Sequence, residues 1–175
     1  LDEDSLDFSN AGHYESILDV NSGDIEVVEN AVEKVIESYK AENKHFGGNQ
    51  VLIQKQTEDV IISGLVFTRN LWTNNPYYLI NYDDDSTKTD TVTSGMDSKK
   101  IEILKGIPLE SIDRKWQNLV AAIREIEAFF NGLTLDIEFA VKTNEEVVIF
   151  QVRPLAANAK FFSLDDEVIK QRIYR

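Results

Sequence analysis

The segment from Thr134 to Leu155, TLDIEFAVKTNEEVVIFQVRPL, constrains this chain more than any other, because two apolar runs meet in it across a short polar turn. Apolar residues alternate at Leu135, Ile137, Phe139 and Val141, the period-two pattern of a half-buried strand, which leaves Asp136 and Glu138 on the opposite face. A second strand is predicted over Val147 to Val152. With the turn centred on Asn144-Glu145, and Asn144 the residue suited to positive φ, Thr143 faces Glu146. The same register sets Glu138 opposite Gln151 and Asp136 opposite Arg153. Pro154 closes the ladder because it has no N–H to donate. Directly opposed residues share a face, so two carboxylates, one carboxamide and one guanidinium are predicted side by side, and a slip of one residue would scatter them. That set suits a magnesium-nucleotide site. The plainer reading is a solvated face with a cross-strand ion pair worth about 0.2–1 kcal/mol.

Other segments carry the same chemistry. DIEFAV from Asp136 and VIFQVRPL from Val148 resemble the DIEWA or DIEFA strand and the LQxRP strand that end the nucleotide-binding domain of the pyruvate phosphate dikinase and phosphoenolpyruvate synthase family. VLIQKQ, from Val51 to Gln56, is similar to that family's VxVQxMV strand, and SGLVFTRN, from Ser63 to Asn70, to its GVxFTR strand. EDSLDFSNAGHYESILDVN, from Glu3 to Asn21, is similar to the stretch written in the family as ED, a gap, SFAGQ, and a threonine or serine before LNV. The segments stand in the family's order.

The resemblance implies an α+β chain with an ATP-grasp fold. On this expectation residues 1–49 are part of a preceding lobe, 50–155 are the C-terminal ATP-grasp lobe, and 156–175 are a linker toward a further domain. The sequence does not include the family's arginine-serine-serine strand, lysine-bearing lobe, histidine-carrying swivel domain or pyruvate-binding barrel, so the chain is expected to be a fragment of such an enzyme.

The resemblance also implies roles. ATP and Mg2+ are the expected cofactors, with Glu138 the metal ligand, Gln151 beside it on metal or phosphate, and Arg153 clamping the terminal phosphates. Backbone groups of Gln54, Lys55 and Gln56 would meet the purine edge. The small-residue loop from Ser9 to Gly12 would let backbone N–H groups approach phosphate oxygens. Thr68 and Arg69 keep the family's FTR motif, and the ordinary alternative for Arg69 is a surface charge. Asp136 reads as structural. The family's GLGE stretch is replaced by NYDDDS, so Asp83, Asp84 or Asp85 would have to stand in for its glutamate. His13 and His45 lack the context of a phosphate carrier. The implied activity is transfer of the β-phosphoryl group of ATP to a histidine on the swivel domain and then to an acceptor such as pyruvate, which the fragment alone would not complete. The alternative is a degenerate, non-catalytic relative that serves protein contacts. A hydrolase using Asp136 and Glu138 is disfavoured, because carboxyls two apart on one strand point the same way and do not flank a bond.

Composition narrows the partners. A net charge of −13 over 175 residues repels phosphate backbones and anionic membrane surfaces, so neither nucleic acid nor membrane is expected. Local Mg2+ can still reconcile an acidic chain with ATP. The absence of cysteine removes disulfides, thiolate catalysis and thiolate metal sites, and fits a cytoplasmic setting. No run reaches the roughly 18 apolar residues of a membrane span.

Along the rest of the chain, a short strand is predicted over Ser16 to Val20. A helix capped by Asp24 follows through about Ala41, with Val28, Ala31, Val32, Val35 and Tyr39 on one stripe. Strands follow at about 51–54, 60–68, 77–82 and 100–104, with a polar loop over 83–100. Ser111 is predicted to cap a helix with Trp116, Leu119, Val120, Ile123, Ile126 and Phe130 on its buried face, ended by Asn131-Gly132.

Overall fold

The computed structural model describes residues 15–41, 50–71, 73–85, 99–155 and 166–173. It divides into two compact units, Leu1–Thr57 and Glu58–Arg175. The described residues form an α+β fold of one five-stranded antiparallel sheet and three α-helices. None of those helices is long and apolar enough to cross a membrane.

In the first unit, Asp24 caps α1 (Ile25–Ala41), its Oδ1 accepting from the Glu26 and Val27 amides at 3.1 and 3.4 Å. The stripe Val28, Ala31, Val32, Val35 and Tyr39 is half-buried, as its spacing predicts. The strands predicted at 16–20 and 51–54 do not form. Val51, Leu52 and Ile53 are apolar in succession without alternation, and no described residue pairs with them. Leu52 and Ile53 stay 82% and 69% exposed. Such a segment has no ladder to take its N–H and C=O groups.

The second unit holds the sheet: β1 (Val60–Phe67), β2 (Tyr77–Asp83), β3 (Lys99–Leu104), β4 (Leu135–Lys142) and β5 (Val147–Pro154), in the order β3-β2-β1-β4-β5. Ile62, Val66, Tyr78, Ile80, Ile137 and Phe139 line one face and pack with Trp116, Leu119, Val120 and Ile123 of α2 (Arg114–Phe129). Asp113, not Ser111, caps α2 by accepting from the Lys115 amide, because Ser111 is taken up in the 3-10 turn Leu109–Ser111. Asn131 and Gly132 follow the helix with φ of 53° and 78°, and the Gly132 amide donates back to the Glu127 carbonyl at 3.2 Å.

At the sheet centre β1 and β2 approach so closely that a Cβ on Gly64 would lie 2.2 Å from the Asn81 carbonyl oxygen. Only glycine fits there. The helix α3 (Asp166–Ile173) closes the described chain.

Candidate functional site

Alternation carries one set of side chains onto the sheet face away from α2. Cross-strand pairing orders them in two rows: Glu102, Leu79, Phe67, Asp136 and Arg153 in the first, Lys100, Asn81, Leu65, Glu138 and Gln151 in the second. Asp136 opposes Arg153 and Glu138 opposes Gln151, as the hairpin pattern predicts.

The turn that sets this register differs from the predicted one. Lys142, not Thr143, pairs with Glu146: the Lys142 amide donates to the Glu146 carbonyl at 2.9 Å and the Glu145 amide to the Lys142 carbonyl at 2.9 Å. Glu145, not Asn144, takes the positive φ, at 64°. Three residues therefore sit in the loop, and the ladder runs Val141 to Val147 and Phe139 to Ile149. The register then shifts between Phe139 and Glu138, where Phe150 is the extra residue, and Glu138 returns to Gln151.

The polar face is not a solvated one at Asp136, which is only 6% exposed. Arg153 Nη2 donates to Asp136 Oδ2 at 2.5 Å, with both side chains largely withdrawn from solvent. Asp136 Oδ1 and the Asn81 side-chain oxygen are buried with no hydrogen-bond donor among the described residues. Such acceptors are costly to leave unmade and are usually met by water, an ion or a ligand. Glu138 and Gln151 are half-buried. Among the described residues no three acidic or histidine side chains converge as a closed metal cage.

Of the FTR residues, Phe67 ends β1 and Thr68 and Arg69 lie just beyond it. Thr68 is fully buried; its amide donates to the Leu135 carbonyl and its Oγ1 accepts from the Leu135 amide, both at 2.9 Å, so the side chain extends the ladder by one step. Lys105 Nζ donates to the Thr68 carbonyl and pairs with Glu127, which also accepts from the Tyr78 hydroxyl at 2.7 Å. Burial, then the hydrogen bond and charge of Glu127, push the Tyr78 phenol well above its ordinary pKa. Arg69 is held between Asn74 and Asp166.

The acidic run after β2 resolves by side. Asp84 stands between Lys115 of α2 at 2.6 Å and Lys99 at 2.5 Å, so it turns toward the helix side. Those hydrogen bonds, Lys115 first, hold its carboxyl below the usual range. Asp85 pairs with Lys99 at 3.0 Å. Asp83 opposes Ser63 in the next row of the polar face, and its carboxylate also accepts from the Asp85 amide.

Gln54, Lys55 and Gln56 belong to the first unit, are exposed and carry no strand. The Gln56 amide group exchanges two hydrogen bonds of 2.8 Å with Asp19. Ser9 and Gly12 lie outside the described residues, as do 86–98 of the predicted polar loop and 156–165 of the predicted linker.

Sequence reasoning missed three partners on this side of the sheet. Asn81 was legible, since alternation along β2 puts it with Tyr77, Leu79 and Asp83 on the face opposite Tyr78 and Ile80. The acceptor left open on Asp136 and the Arg69–Asp166 pair had no local signal. A shallow, largely apolar groove of about 380 Å³ between α2 and β5, lined by Glu125, Ile126, Phe129, Phe130, Ile149 and Val152, lies on the helix side and has no cationic side chain to hold a phosphate. No protein-family model matches the chain, and no curated protein is significantly similar to it.

Proposed function

We propose that this chain is the nucleotide-holding part of an ATP-grasp phosphotransferase of the phosphoenolpyruvate synthase and pyruvate phosphate dikinase kind, binding Mg-ATP over the polar face of the sheet. The observation that carries the reading is the shared face itself: Glu138 beside Gln151, and Asp136 beside Arg153, one row apart.

The residues fit the cofactors. Mg2+ keeps several waters and is typically held by one or two carboxylates together with substrate phosphates, so such a site needs no closed acidic cage. Glu138 and Gln151 would hold the ion, and the bare Oδ1 of Asp136 suits one of its waters. When bound, Mg2+ neutralises charge on the transferring phosphoryl group. Arg153 supplies the fixed positive charge. Asp136 holds its guanidinium in place, so the fork is oriented before phosphate arrives and little reorganisation is needed. Thr68 and Lys105 fix the backbone from which Arg69 projects. The phosphoryl group would pass to a histidine carried on another domain, with a lysine-bearing lobe completing the nucleotide site.

A second reading, a non-catalytic interaction domain on the same scaffold, draws on the engagement of both arginines by aspartates. Calorimetry with Mg-ATP separates the two. The phosphotransferase reading expects saturable binding that requires Mg2+ and weakens about tenfold or more in Glu138→Gln and in Arg153→Lys, which keeps charge but loses the fork. Absence of binding, or affinity indifferent to both substitutions in chains of unchanged circular dichroism, leaves the interaction domain.

A further inference from the structure

Arg69 leaves β1 at the end of the sheet where β4 begins and β5 finishes, two residues past the row of Phe67, Asp136 and Arg153. Its guanidinium is nonetheless committed. Nε and Nη2 donate to the Asn74 carbonyl at 2.9 and 2.7 Å, and the outer edge meets the Asp166 carboxylate, Nη1 to Oδ2 at 2.9 Å and Nη2 to Oδ1 at 2.6 Å. Two parallel N–H donors on two oxygens of one anion is also how a guanidinium engages phosphate.

The two arginine–aspartate pairs at this end of the sheet differ in burial. Asp136 and Arg153 face each other on neighbouring strands with side-chain exposures of 7% and 15%, so neither partner can leave without stranding the other. Asp166 is more than a third exposed and sits in the first turn of an eight-residue helix with no buried side chain among its described residues. A helix that short has little stability of its own. The Arg153 pair is therefore fixed and the Arg69 pair exchangeable.

We infer that Asp166 acts as an internal stand-in for phosphate: α3 docks on Arg69 through this carboxylate when nucleotide is absent and is displaced when phosphate oxygens take the fork. The inference rests on the nucleotide reading of the polar face and adds to it a competitor carried by the chain. Its consequence is self-restraint, since the apparent affinity is lowered by the fraction of molecules in which the fork is occupied.

The test titrates the full chain with Mg-ATP and, separately, with inorganic tripolyphosphate, following heat and the hydrogen exchange of amides 166–173. Asp166→Asn is expected to bind both ligands about fivefold tighter, the factor that corresponds to the upper end of an exposed ion pair. In the parent chain, exchange across α3 is expected to quicken when either ligand binds. Glu167→Gln removes the same charge one residue away and is expected to leave affinity unchanged. Three results overturn the inference: equal or weaker binding by Asp166→Asn, an equal gain in Glu167→Gln, or exchange in α3 unaffected by ligand. Binding by the parent that is indifferent to Asp166 sinks the latch and leaves the nucleotide reading standing. No binding by any of the three chains sinks both.

Discussion

Glu138 and Gln151 face each other across β4 and β5 because two displacements cancel: the loop residue Glu145 offsets the ladder by one, and Phe150 restores it. The polar face depends on both. A hairpin with only one of them would carry Gln151 and Arg153 to the side packed against α2.

Glu145 holds φ at 64°, where a side chain crowds its own backbone. Glu145→Gly is expected to stabilise the chain by about 0.5–1 kcal/mol, and Glu145→Val to cost about 1–2 kcal/mol. The long Arg114–Glu145 contact, exposed on both sides, gives up little in either variant. Urea denaturation measures both.

How far the sequence foretold the fold follows from this hairpin. Period-two alternation named the facing pairs, yet it predicted a two-residue turn and no bulge, and the right partners emerged through compensating departures. Periodicity also gave α1 and the buried face of α2, and a content rich in β-branched residues gave β1. It failed at Val51 to Ile53, since consecutive apolar residues do not say whether a neighbouring strand exists to pair with them. Ser111 was expected to cap α2 because serine is a cap residue, but the 3-10 turn takes it up and leaves the cap to Asp113. The Arg69–Asp166 contact spans 97 positions, beyond any local pattern.

Gly64 sits where a Cβ would meet main chain, not a movable side chain. Gly64→Ala is expected to cost about 3 kcal/mol, at the upper end of overpacking substitutions, because β1 and β2 must separate at the middle of the sheet. Loss of thermal stability checks it, and Gly132→Ala, which has open space around it but a φ of 78°, is expected to cost about 1 kcal/mol.

The Asp136–Arg153 pair predicts an asymmetry between single and double replacement. Arg153→Ala leaves a buried carboxylate without its cation and is expected to cost about 3–5 kcal/mol. Asp136→Leu combined with Arg153→Met is expected to recover most of that loss while abolishing any phosphate binding. Urea midpoints with matched slopes give the comparison.

Tyr78 links the core to alkaline pH. Its folded pKa is raised by burial and by Glu127, so the unfolded chain gives up the phenolic proton first, near the ordinary value of about 10. The native state then binds more protons than the unfolded one, and stability falls as pH rises above that point. Tyr78→Phe is expected to flatten this limb of the stability profile while costing about 1 kcal/mol at neutral pH for the lost hydrogen bond. Denaturation midpoints from about two units below the phenol's reference value to about one unit above it provide the check.

Phe150 has a second consequence, for how copies of this chain meet. β5 is one of the two edge strands of the sheet among the described residues, and an unbroken row of outward amides and carbonyls there would invite another molecule to extend the sheet. The inserted residue breaks the spacing of that row partway along, and Pro154 removes a donor at its end. The irregularity that aligns the polar face also spoils the edge as a template, so a variant in which Phe150 is deleted is expected to keep Glu138 opposite Gln151 but to present an unbroken edge and self-associate.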